Sequence, residues 1–439
     1  MNLHRAIRLF ITATACLCTL PLAAQEFEQE PIRYSQRVPH NRVSELIGQL
    51  ERGDVRLEHA APCGYLRSLL KALGVPVSSQ TLVFSKTSLQ RHRISPRAPR
   101  ALYFSDDVYV GCCQNGDVLE ISAVDPELGT VFYTLDAEAA DPPRFVRQTD
   151  NCLICHGSSQ TKDVPGHLVR SVFADASGLP ILSSGTYRIN HTSPLKQRWG
   201  GWYVTGTHGD QTHLGNLVVR GRYEPSQIDN SAGQNVTDLR DRFDITQYLS
   251  PHSDLVALMV LEHQAEAHNL ITRANFLTRQ AMHYQETLNR ELHEPPDHVW
   301  DSTKIRLKSA CEPLVEYLLM SSEAPLTARL QGTSTFAAEF AERGPRDRHG
   351  RSLRDLDLER RLFKYPCSYL IYSPSVQALP AEAKDHLCRR LWEVLTGADR
   401  SPAFAHLSAE DRTAIREILQ DTLPGLPDYW RQDVAVRAE

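Results

Sequence analysis

The sequence predicts an α+β protein: an antiparallel β-meander, a second β-rich region, then a long helix and a helical C-terminal region. Three observations carry this. Residues 101–135 hold four short runs rich in β-branched and aromatic residues, separated by turn residues. Residues 254–293 repeat apolar side chains at 3.6-residue spacing. Past residue 300, further helical patterns alternate with Gly-Pro and charged breaks. At 439 residues, with 41% hydrophobic and 23% charged residues, the chain is long enough for two or three domains. Its net charge of −5 gives no bulk electrostatic case for binding nucleic acid or an anionic membrane.

Residues 1–24 read as a signal peptide. His4, Arg5 and Arg8 form a positive start, residues 9–22 an apolar run too short for a membrane span, and Leu22-Ala23-Ala24 a small-residue cleavage site before Gln25. A lipid-modified Cys16 or Cys18, or an uncleaved anchor, are the alternatives. Cleavage leaves no transmembrane anchor and places the protein in the periplasm or outside the cell.

Residues 25–140 form an N-terminal α+β region. Val43, Leu46, Ile47 and Leu50 have helical spacing within 41–50, and residues 62–73 open with Pro62 and stop at Gly74. Residues 80–84 read as a strand. Arg91, Arg93, Arg97 and Arg100, broken by Pro96 and Pro99, cannot make a helix. They form a solvated loop or meet an anionic group. The meander follows, with Asn115-Gly116 as a tight hairpin signal. Cys112 and Cys113 are strand neighbours on opposite faces and cannot readily bond to each other.

Residues 141–250 open at Asp141-Pro142-Pro143 and contain Cys152-Leu153-Ile154-Cys155-His156 on a short helical turn. The spacing C-x-x-C-H suits covalent attachment of one c-type haem. Cys152 and Cys155 can each form a thioether to a porphyrin vinyl group, and His156 can ligate the iron from beneath the ring. A zinc half-site or a disulfide pair is the alternative. Zinc calls for a second Cys/His pair, and no second C-x-x-C occurs. Export and covalent haem agree, because bacterial c-type haem is attached outside the cytoplasmic membrane. The remaining thiols of Cys63, Cys112, Cys113, Cys311, Cys367 and Cys388 can pair there or stay buried. Residues 168–173 and the aromatic 199–206 segment (WGGWYVTG) read as strands, the latter either core or a wall of the haem crevice.

Residues 251–439 form the helical region. Val256, Val260, Ala267, Leu270, Ala274, Leu277, Ala281 and Leu288 share one face of the 254–293 helix, which Glu294-Pro295-Pro296 ends. His263 lies on that stripe, while His268 and His283 point away. Residues 313–320, 334–343, 381–395 and 409–419 are further helical runs, and 346–361 reads as salt-bridged turns.

The sixth iron position separates a carrier from a ligand-binding haem. After cleavage the available Met residues are Met259, Met282 and Met320, and Met259 suits core packing. His167, His191, His208 and His213 all follow the motif within sixty residues. His208, His213 and His263 are the candidate distal ligands, each with a buried, hydrogen-bonded histidine as its alternative.

Four blocks, 79–95 (SQTLVFSKTSLQRHRIS), 150–170 (DNCLICHGSSQTKDVPGHLVR), 198–208 (RWGGWYVTGTH) and 351–372, make the chain resemble exported bacterial cytochrome c proteins with a single haem motif. The resemblance implies one covalent haem, with Cys152 and Cys155 as thioether positions and His156 as proximal ligand, and electron transfer with no narrower substrate. The β-rich setting differs from the ordinary small cytochrome c, which is nearly all helix with a Met ligand. The expected function is electron transfer to a redox partner protein in the cell envelope. The alternatives are a haem enzyme, peroxidase-like or a small-molecule oxidoreductase with Glu262 or Glu266 as acid/base, and a haem-based sensor.

Overall fold

The computed structural model describes residues 26–221 and 228–431. The signal-peptide reading, with Cys16 and Cys18, lies outside the described residues. Two helices come first, α1 (Arg42–Glu51) and α2 (Leu66–Leu73). Asn41 caps α1 by accepting from the N–H groups of Val43 and Ser44, and Gly74, at φ 65°, closes α2. α2 starts four residues later than its sequence pattern suggests, because Gly64 takes a left-handed turn at φ 57°.

Six strands follow: β1 (Thr81–Val83), β2 (Arg100–Phe104), β3 (Val108–Cys112), β4 (Val118–Asp125), β5 (Gly129–Asp136) and β6 (Phe145–Gln148). The predicted meander is present. Its Asn115-Gly116 turn is wider than a two-residue hairpin and spans residues 113–117, since the Gln90 side chain accepts the N–H groups of Asp117 and Val118. The motif forms α3 (Leu153–His156). Then come β7 (Arg170–Val172), β8 (Thr186–Arg188), β9 (Trp202–Tyr203) and β10 (Gly206–Thr207). The aromatic strand is shorter than predicted because Trp199 and Gly201 adopt positive φ, making a turn in which the Trp202 N–H donates to the Trp199 carbonyl.

The main sheet has the order β6-β5-β4-β3-β2-β1-β9 and is antiparallel throughout. One face presents Ala101, Tyr103, Val110, Ile121, Val131 and Leu135 to the core shared with α1 and α2. Each such Val, Ile or Leu contributes roughly 1.5–3 kcal/mol by leaving water. The register places Arg100, Leu102, Tyr109, Gly111, Glu120, Ser122 and Phe132 on the other face.

That second face meets α4 (Leu255–Leu292), capped by Asp254. Residues 255–272 of α4 are buried all round, so its first half is a core helix and only its second half is one-sided. The rest comprises α5 (Asp301–Leu318), β11 (Gln331–Gly332, paired with β10), α6 (Phe336–Glu342), α7 (Pro374–Gln377), α8 (Ala381–Leu395) and α9 (Ala409–Thr422). The charged 346–361 stretch is ion-paired to neighbouring elements, as Arg351 with Glu417 and Arg361 with Asp411. All eight described cysteines are free thiols. Among the described residues no helix is long and apolar enough to cross a membrane.

Candidate haem-attachment site

The motif sits where β6 leaves the sheet. Cys152 precedes the α3 turn and is half-buried, Cys155 is exposed, and the Ile154 side chain between them is 72% exposed. Leu153 points inward and anchors the turn. Burial pushes the Cys152 thiol up to about 11, helped by the carboxylates of Glu120 and Asp150, which keeps it protonated at neutral pH.

His156 is held at two points. The Gly166 N–H donates to the His156 carbonyl at 2.8 Å, and His156 Nδ1 lies 2.9 Å from the Gly166 carbonyl. A carbonyl only accepts, so Nδ1 carries the hydrogen and the lone pair is on Nε2. Burial lowers the His156 pKa, which keeps the ring neutral, and its ring packs on Phe132 with centroids 5.0 Å apart.

The loop that presents Gly166 is fixed from two sides. Asn269 on α4 accepts the His167 N–H at 2.9 Å and donates to the His167 carbonyl at 2.8 Å. The His167 ring sits between Ser122 (2.9 Å) and Thr130 (3.3 Å) on the sheet. A Cβ at Gly166 would come within 2.1 Å of Asn269 Oδ1, so this approach requires glycine.

The distal candidates are placed differently. His208 and His213 adjoin each other, ring centroids 4.7 Å apart, and His213 also meets Trp199. His208 Nε2 accepts the Asn235 N–H and His213 Nδ1 accepts the Gly215 N–H, so the lone pair of each is occupied. His263 lies in the helical core, with Nδ1 2.9 Å from His191 Nδ1 and Nε2 2.8 Å from Ser368 Oγ. Either tautomer leaves it no free lone pair. Of the four histidines nominated from the sequence, only His156 keeps one among the described residues.

Of the two acid/base candidates, Glu262 is buried against the Arg198 guanidinium, and burial pushes its carboxyl up to about 7. Glu266 faces the motif's own loop, pairing with Lys162 at 3.1 Å. Of the Arg-rich run, Arg93 pairs with Asp117, while Arg100 starts β2 and pairs with Glu120. Sequence reasoning missed Gly166 and Asn269. The glycine ten residues after His156 was the only local signal for either.

These residues fit a covalent haem on three counts. Both thiols lie on one short turn, His156 offers an Nε2 without a partner among the described residues, and the sheet face that carries Phe132, against the His156 ring, also carries the half-buried apolar Leu102, Val118 and Val146. Among the described residues no group of three or more His, Cys, Asp or Glu side chains comes together to hold a metal ion. Comparisons with protein-family models, curated proteins and solved structures find no match to this chain.

Proposed function

We propose that the chain is an exported redox protein carrying one haem on Cys152 and Cys155, with His156 as proximal ligand, and that it exchanges electrons with a partner protein of the cell envelope. The free Nε2 lone pair of His156, with Nδ1–H held on the Gly166 carbonyl, carries this reading. An iron-ligating imidazole needs this arrangement, because a hydrogen bond at the far nitrogen fixes the tautomer and the ring angle. Bound there, the haem supplies a one-electron iron couple. The chain's own residues orient the ligand: Gly166 sets the His156 ring, Asn269 and His167 set Gly166, and Phe132 backs the imidazole.

A second reading, a haem enzyme or sensor with an open sixth position, is favoured by one observation: His208, His213 and His263 have no lone pair left to give.

Visible spectra of the exported protein test both. A thioether haem that survives acid-acetone extraction, and is lost from Cys152→Ser/Cys155→Ser, is expected; haem retained by that variant would refute covalent attachment at the motif. A low-spin spectrum that ignores carbon monoxide supports the carrier. A high-spin, carbon monoxide-binding spectrum supports the open site.

A further inference from the structure

We propose that the Arg100–Glu120 ion pair forms the sheet-side electrostatic wall of the haem site and sets the reduction potential of the bound haem. This rests on the haem reading above.

The register carries the placement. Ser122 of β4 faces Phe132 of β5, and Phe132 supports the His156 ring. Glu120 lies two residues before Ser122, hence on the same face and about 7 Å along the strand. It occupies the next row, opposite Gly111 on one side and Thr134 on the other. This is also where the face opens: Arg100, Leu102, Val118, Glu120 and Val146 are half-buried, whereas Phe104, Tyr109 and Ser122 further along are buried.

The pair is built into the sheet. Arg100 on β2 reaches across β3 to Glu120 on β4, with Nη2 2.6 Å from Oε2 and side-chain exposures of 16% and 15%. The arm crosses Gly111, where a Cβ would stand 2.2 Å from Arg100 Nη2. The other oxygen of Glu120 accepts from the Gln90 N–H at 3.3 Å, Gln90 Nε2 at 3.1 Å and Ser88 Oγ at 3.4 Å. Arg100 Nε is buried with no hydrogen-bond partner among the described residues.

Charges held in a poorly hydrated site act strongly on a charge that changes there. A nearby cation disfavours the oxidised iron, which carries one more positive charge, and a nearby carboxylate favours it. The two members therefore act in opposite senses.

Potentiometric titration of the haem-loaded protein tests this. Arg100→Gln is expected to lower the reduction potential, Glu120→Gln to raise it, and Arg100→Lys to leave it close to the parent. Gly111→Ala, which displaces the guanidinium without altering any charge, is expected to lower it and serves if a glutamine variant does not fold. Unchanged potentials in loaded variants, or shifts of the same sign for Arg100→Gln and Glu120→Gln, would overturn the proposal. A parent protein without covalent haem would instead overturn the haem reading, and extraction of the parent shows this before any titration.

Discussion

Asn269 shows how much of the site depends on one side chain distant in sequence. Its amide bridges the backbone of His167, and through that loop it holds the carbonyl that orients His156. Asn269→Ala leaves a buried N–H and carbonyl of His167 without these partners. The expected cost is about 1–3 kcal/mol of stability, read by denaturant unfolding. The loaded variant should also show a mixed-spin haem spectrum as the imidazole loses its fixed angle; an unchanged spectrum would mean that Gly166 is held by other contacts. The short helical turn that carries the motif was legible because it lies within five consecutive residues. Asn269 was not, because it acts across 102 residues and a buried Asn in a helix has no distinctive local pattern. The same holds for the distal candidates: His208 and His213 are partnered by Asn235 and Gly215 in loop geometry that spacing alone does not reveal.

At the scale of elements, α4 was legible in its limits and only half legible in its burial. Asp254 before the apolar run and Pro295-Pro296 after it mark the ends. The stripe predicts one buried face, yet the first half is buried all round, because several of its polar residues meet partners from elsewhere in the fold. Glu262 meets Arg198, His263 meets His191 and Ser368, Gln264 meets Tyr109 and Tyr369, and His268 meets the Asp106 carbonyl. Periodicity records polarity, not the partners that make burial tolerable. Asp254 matters to the whole helix: one oxygen accepts from Val256 and Ala257, and the other from the N–H and hydroxyl of Ser334. Asp254→Ala should destabilise the protein by at least about 1–2 kcal/mol, measured as a lower unfolding midpoint.

For the whole molecule, the meander was legible because sequential strands pair with their neighbours. The attachment of β9 was not, since Trp202 and Tyr203 pair with Val83 and Leu82 across more than a hundred residues. The molecule also has a definite acid response. Burial lowers His191 and His213 from 6.5 to about 3 and His268 to about 4. The unfolded chain therefore binds more protons than the folded one below pH 6.5, and stability is lost as pH falls from 6.5 towards 3. Burial raises Glu262 and Glu323 from 4.5 to about 7, which works the other way: their contribution is present below pH 4.5 and lost as pH rises through 7. The histidine shifts are larger and more numerous, so they prevail. Urea midpoints should be lower at pH 5 than at pH 7.5; equal or higher midpoints at pH 5 would show these imidazoles to be solvated.

A seven-stranded open sheet has two edges, and an open edge invites another chain to add a strand. At one end stands β9, two residues long and flanked by turns, too short to template a partner. At the other stands β6, four residues long, which runs directly into the Cys152–His156 turn. The turn that carries Cys152 and Cys155 follows that edge strand and leaves it only four residues long, a short stretch for another chain to pair with.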